Sequence, residues 1–153
     1  MKILDILPEE NVLADLHGRT KLEVLAELAA ALAARHPEID KDRLVEVLLE
    51  REKLGSTAIG EGIAIPHGKL SKLSGVLAVF GRSRAGVDFQ SLDGGPTHLF
   101  FLLVAPEDAS GAHLKALARV SRLLRDKGFR NRLLAAETAA ELYQIIREED
   151  EKY

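Results

Sequence analysis

The segment Gly55-Ser56-Thr57-Ala58-Ile59-Gly60-Glu61-Gly62-Ile63-Ala64-Ile65-Pro66-His67-Gly68 holds the residue types best suited to chemistry. Its glycines lead into a short apolar stretch that delivers a proline and a histidine at its end. Pro66 fixes the backbone ahead of His67 and Gly68 permits a tight departure after it, so the imidazole can be held in one orientation. Neutral imidazole is nucleophilic near pH 7 and forms covalent intermediates without a metal or a separate base. A displayed histidine therefore suits phosphoryl transfer, which asks mainly for positioning and charge stabilisation. A lone histidine after an apolar strand is by default a packed residue, so the weight rests on the whole pattern.

Other templates fail on spacing. Gly55-x4-Gly60 is followed by Glu61, and Gly68-Lys69 by Leu70, so there is no Walker loop. Gly60-Glu61-Gly62 would need a glycine at position 65 for a dinucleotide fingerprint, and that residue is Ile65. No His-Glu-x-x-His helix occurs, and Gly81-Arg82-Ser83-Arg84 ends in Ala85 rather than glycine, which removes the hydrolase elbow. The absence of cysteine excludes thiol nucleophiles, disulfides and Cys-ligated zinc. A histidine-only zinc site is disfavoured because no His pair has helix spacing and no carboxylate is obviously placed with the histidines.

The elements that must position His67 follow from patterning. Thr20-Lys21-Leu22-Glu23 is a capping box opening a helix with Leu22, Leu25, Leu28, Ala29 and Leu32 at helical spacing, until Arg35-His36-Pro37 stops it. Asp40 caps a second helix whose stripe Leu44, Val47 and Leu48 also carries Arg51. Residues 55–68 read as loop, short strand at Ile63–Ile65, and loop. Val76–Phe80 and Leu99–Val104 are continuous apolar runs of strand length, the pattern of strands covered on both faces, and a weaker strand is expected at Val87–Phe89. Leu114, Leu117, Val120, Ser121 and Leu124 follow a helical period, and Thr138 opens a last helix carrying Leu142, Ile145 and Ile146. These elements predict an α/β fold, a three-layer sandwich with a mixed β-sheet flanked by helices on both faces.

The 153 residues fit a single domain spanning 1–153. With 21 Lys+Arg against 24 Asp+Glu the net charge is −3, which argues against nucleic acid as a partner. No run approaches the ~18 uninterrupted apolar residues of a membrane span, so no membrane insertion is expected and a cytoplasmic setting suits the chain.

The run Ile63-Ala64-Ile65-Pro66-His67-Gly68 resembles the signature of the EIIA domains of the mannitol/fructose type in the bacterial phosphoenolpyruvate phosphotransferase system. The resemblance extends from Leu48-Leu49-Glu50-Arg51-Glu52 to Gly111-Ala112-His113-Leu114-Lys115. Arg51-Glu52-Lys53-Leu54-Gly55-Ser56-Thr57 and Glu141-Leu142-Tyr143-Gln144-Ile145-Ile146 look most like the nitrogen-regulatory branch, EIIA-Ntr. It implies that His67 is the phosphoacceptor, through Nε2, with His113 and Arg51 nearby and no nucleotide or metal required. It further implies an HPr-like phosphocarrier (NPr) as donor, and regulatory targets such as potassium-transport regulators or sensor kinases. A sugar-specific EIIA serving a separate EIIB, or a non-catalytic anion-binding module, are the alternatives.

Each implied residue also has a physical reading. Arg51 follows Val47 by four residues and Leu48 by three, so its side chain should lean toward the 55–68 loop and offer a planar fork to phosphate. Read alone, it is a cation at a helix C-terminus or a partner of Glu50 or Glu52. His113, in the first turn of its helix, lies where amides and dipole favour an anion, or else is a neutral surface histidine. Ser56 and Thr57 can donate to phosphate or satisfy loop backbone, and Gly68 is a further phosphate-binding candidate. Glu61 would add negative charge near an incoming phosphoryl group. His98 reads as a core or rim residue, and His17 and His36 as exposed loop residues.

Overall fold

The computed structural model describes residues 1–153. Its elements are β1 (Val12–Leu13), α1 (Lys21–Arg35), α2 (Lys41–Lys53), β2 (Ala58–Gly60), β3 (Ile63–Ala64), β4 (His67–Leu70), β5 (Leu77–Val87), β6 (Thr97–Pro106), α3 (Ser110–Leu124), α4 (Lys127–Ala135) and α5 (Ala139–Glu151). The helix starts follow local chemistry. Thr20 and Glu23 form the reciprocal capping box, the Asp40 carboxylate accepts from the amides of Asp42 and Arg43, and the Thr138 hydroxyl accepts from Glu141.

The strands form one mixed sheet in the order β1-β5-β6-β3-β2, with β4 continuing along β6 beyond β3. β5 and β6 pair antiparallel, as do β2 and β3, whereas β1 lies parallel to β5, and β3 and β4 lie parallel to β6. Alternation along the two long strands splits their apolar runs between two cores. Ala78, Phe80, Leu99, Phe101 and Leu103 face the side covered by α3, α4 and α5. Val79, Phe100, Leu102 and Val104 face α1 and α2. The two clusters hold 21 and 18 buried residues, so neither face is left to water and the three-layer sandwich stands as predicted.

Several elements differ from the sequence expectation. β5 runs on through Gly81 to Val87, where the pattern suggested a stop and a separate strand at Val87–Phe89. The extension carries Arg82, fully buried, whose Nε donates to Ala14 O at 3.1 Å and whose Nη1 donates to Leu133 O at 2.8 Å and to Ala136 O. Because those acceptors come from distant segments, nothing local marks Arg82 as an interior residue. The short strand at 63–65 ends at Ala64, and a four-residue strand, β4, begins at His67. α4 lacked a recognisable stripe, having only Phe129 and Leu133 buried beneath an Asp126 cap. In α3 the buried stripe is His113, Ala116, Val120, Leu123 and Leu124, which leaves Leu114 65% exposed; Leu22 in α1 is likewise exposed. A helix rotates 100° per residue, so whether His113 or Leu114 turns inward is set by docking on the sheet and not by the period.

Candidate functional site

His67 stands at the first position of β4, half-buried, opposite Leu103 in the β6 register. Its Nδ1 lies 2.8 Å from Ile65 O. A carbonyl oxygen only accepts, so in the neutral ring Nδ1 carries the hydrogen and donates it, and the lone pair is on Nε2. Nε2 is therefore the ring nitrogen left with a free lone pair. Burial is the main influence on the ring and pushes its pKa below the usual 6.5. The Ile65 carbonyl opposes that shift, the Arg51 cation adds to it, and Glu52 opposes it. His67 is accordingly neutral at pH 7.

Gly68 does not make the tight turn expected of it. It is paired in β4 with extended backbone, and a Cβ there would stand 2.7 Å from Val47 Cγ1. Glycine is needed because α2 packs directly against the strand. The same approach brings the last turn of α2 beside the histidine. Arg51 Nη1 donates to Gly55 O at 2.8 Å, and the guanidinium forms no ion pair with Glu50 or Glu52, leaving donors for an anion.

His113 approaches from the opposite side, on the first turn of α3. Its ring centroid is 5.4 Å from that of His67, tilted by 51°. It is 6% exposed rather than a surface residue, and Nδ1 is buried without a hydrogen-bond partner. Burial first, then the charges of His67 and Lys69, push its pKa down, so this ring is also neutral near pH 7. Two neutral imidazoles and an arginine thus meet at one point. A phosphoryl group on His67 Nε2 would find a guanidinium, an imidazole and the uncapped start of α3 as sources of positive potential.

The other candidates fall away from this point. Ser56 Oγ donates to Phe89 O at 2.8 Å and accepts from Ala58 N at 3.1 Å. Thr57 is buried and donates both its amide, at 3.1 Å, and its hydroxyl to Glu52. Both hydroxyls support the loop backbone. Glu61 is not beside the histidine: it sits at the tip of the β2–β3 turn and ion-pairs with Arg130 at 3.5 Å. Ile63 pairs with Leu99 and His67 with Leu103, so about 13 Å of strand already separates the histidine from the start of β3, with the turn beyond it. His98 bonds Ser83 O at the rim, His17 is exposed and His36 is half-buried beside Glu38. No group of three or more His, Asp or Glu side chains converges as a metal site would require.

Two neighbours escape the sequence reading. Lys69, two residues beyond His67 on the same strand face, donates to Ser110 Oγ at 2.8 Å at the start of α3. Glu52 is buried on α2, where the stripe Leu44, Leu48, Glu52 at four-residue spacing was the available signal.

Known proteins resemble this chain over nearly its whole length. The family described as phosphoenolpyruvate-dependent sugar phosphotransferase system, EIIA 2, matches residues 5–149. The nitrogen regulatory protein of Bradyrhizobium diazoefficiens is 46% identical over 146 residues, 95% of either chain. The fructose-specific EIIABC component of Bacillus subtilis is 39% identical over 98% of this chain and 24% of its own. The crystal structure of nitrogen regulatory protein IIA-Ntr from Neisseria meningitidis superposes with a TM-score of 0.87 at 34% identity, covering 94% of this chain and 98% of that one. Pattern, site geometry and these matches converge: this chain belongs to the EIIA 2 family of the phosphoenolpyruvate-dependent sugar phosphotransferase system.

Proposed function

We propose that this protein is a phosphocarrier that accepts a phosphoryl group on His67 Nε2 and acts in the nitrogen-regulatory branch of the phosphotransferase system. The observation that carries the reading is the hydrogen bond from Nδ1 to Ile65 O, which leaves Nε2 as the free nucleophile between His113 and Arg51. In the transfer, the Nε2 lone pair forms a bond to phosphorus as the N–P bond of a phosphohistidine donor breaks, and the electron pair returns to the donor's imidazole. Nδ1 keeps its hydrogen throughout, so no proton needs to move. Arg51 stabilises charge on the equatorial oxygens, and His113 donates to them in its neutral form. An HPr-like protein is the donor, and the setting is cytoplasmic; no helix is long and apolar enough to cross a membrane. The targets are regulatory proteins such as potassium-transport regulators or sensor kinases, as suits a chain that resembles a nitrogen regulatory protein over nearly its whole length.

The test is a labelled phosphoenolpyruvate relay with purified Enzyme I and HPr homologues. The wild-type chain should take up acid-labile phosphate, and His67→Ala should take up none while keeping its helical content and melting transition, since β4 is held by Pro66 and by pairing with β6. Label retained in His67→Ala would move the acceptor elsewhere. The likeness to a fructose-specific component favours a second reading, a sugar-specific EIIA that passes its phosphate to a separate EIIB.

A further inference from the structure

A buried carboxylate stands behind the histidine. Glu52 continues the inward stripe of α2 after Leu44 and Leu48, a position where a leucine would satisfy packing. A charge is kept there although burying one costs free energy unless it is paired and hydrogen-bonded. Its partners are specific. Oε1 accepts from Lys21 Nζ at 2.9 Å and from Thr57 N at 3.1 Å, and Oε2 accepts from the Thr57 hydroxyl. Lys21, at the start of α1, is itself held over the Phe89 ring, 4.7 Å from its centroid.

From Thr57 the connections lead to the acceptor. Thr57 O accepts from Ile65 N at 3.2 Å, and Ile65 O accepts from His67 Nδ1 at 2.8 Å. Ile65 is therefore held at its amide by the segment that Glu52 anchors, while its carbonyl, in the next peptide group, selects the tautomer of the histidine. Ile65 directly precedes Pro66, whose ring restricts the backbone of the residue before it and so leaves that carbonyl little freedom to turn. Glu52 is also the residue after Arg51, so the same side chain fixes the end of α2 from which the guanidinium reaches forward.

We propose that Glu52 is a positioning residue for phosphoryl uptake, acting through Thr57 and the backbone of Ile65 to hold His67 with its hydrogen on Nδ1 and its lone pair on Nε2. The inference rests on His67 being the phosphoacceptor. Glu52 touches neither the imidazole nor the incoming group. Its effect is to raise the fraction of histidine that is in the reactive tautomer and aimed at the donor. Misplacement of a reacting group by about 1 Å lowers rates by on the order of 100-fold, so removing Glu52 should act on turnover more than on partner docking.

The test uses the full chain, reading the ring-nitrogen shifts of His67 by ¹⁵N NMR alongside uptake kinetics from a phosphorylated HPr homologue. The wild type should show the Nδ1–H tautomer. Glu52→Ala should populate the Nε2–H tautomer and lower kcat roughly 10–100-fold with KM for the donor little changed. Glu52→Gln retains an oxygen for Thr57 N and an amide for Thr57 Oγ1, so it should restore most of both signals. Should Glu52→Ala not fold, Thr57→Val leaves the Lys21–Glu52 pair in place and should shift the tautomer in the same direction by a smaller amount. A wild-type tautomer and kcat in Glu52→Ala, or in Thr57→Val where Glu52→Ala does not fold, would overturn the inference, as would a loss confined to KM. No uptake by the wild-type chain would remove the phosphoacceptor reading itself and this inference with it, which separates the two failures.

Discussion

A histidine is a nucleophile only while it is unprotonated, and the surroundings of His67 keep it so. Burial pushes its pKa below 6.5, with the Arg51 cation working in the same direction. Because the folded value lies below the unfolded one, the unfolded chain binds the extra proton. The neutral ring's contribution to stability is whole above about pH 6.5 and is lost as pH falls through the folded value. Uptake of phosphate should likewise persist below pH 6.5. A titration of His67 by NMR should give a midpoint below that value, and Arg51→Ala should move the midpoint upward. Arg51→Lys keeps the charge and so leaves the midpoint near wild type, but the planar fork is lost and uptake should slow by about tenfold. A midpoint unmoved in Arg51→Ala would separate the guanidinium from the imidazole. At this scale His67 was legible because Pro66 and Gly68 flank it in sequence. The inward turn of His113 and the burial of Glu52 were not, since each depends on which side of a helix meets the sheet.

At the scale of elements, the site exists because α2 lies directly on β4. Gly68 makes the approach possible, and Gly68→Ala would set a methyl group 2.7 Å from Val47 Cγ1. Overpacking of this kind costs about 1–3 kcal/mol. Denaturant unfolding should show that loss, and the double variant with Val47→Ala should recover much of it, because the two atoms compete for one space. Additive losses would mean that helix and strand do not press on each other there. The helix starts were readable because a cap and its amide lie within three residues, as Thr20 with Glu23 and Asp40 with Arg43 show. β4 and the extension of β5 were not readable. A four-residue strand that includes glycine and lysine has no pattern of its own, and Arg82 is tolerated inside only because distant carbonyls receive it.

For the molecule as a whole, the proposed phosphorylation of His67 would change the charge of a surface. A phosphoryl group on His67 would add roughly two negative charges at a surface that carries Arg51 and Lys69, with Leu54 and Leu114 exposed on the flanking helix end and helix start. A regulatory partner should therefore distinguish the two forms. Pull-downs with phosphorylated and unphosphorylated protein should recover different regulatory targets, and transfer from the labelled chain to fructose or mannitol EIIB domains should be slow. Efficient transfer to such a domain, with no partner sensitive to phosphorylation, would favour the sugar-transport reading instead.

What the sequence determined by itself was local or repetitive: the Pro-His-Gly display, the capped helices, and the two-faced strands Val76–Phe80 and Leu99–Val104 that require helices on both sides of a sheet. These follow from interactions within a few residues or from a period, which a chain carries in its own order. Tertiary structure alone decided that His113 turns inward and is buried where it meets the His67 ring, that Glu61 lies at the far end of the strand with Arg130, and that Glu52 reaches the histidine through Thr57 and Ile65. Strand register and helix docking set those distances. Both are fixed by burial summed over two cores, a quantity that no short run of residues contains.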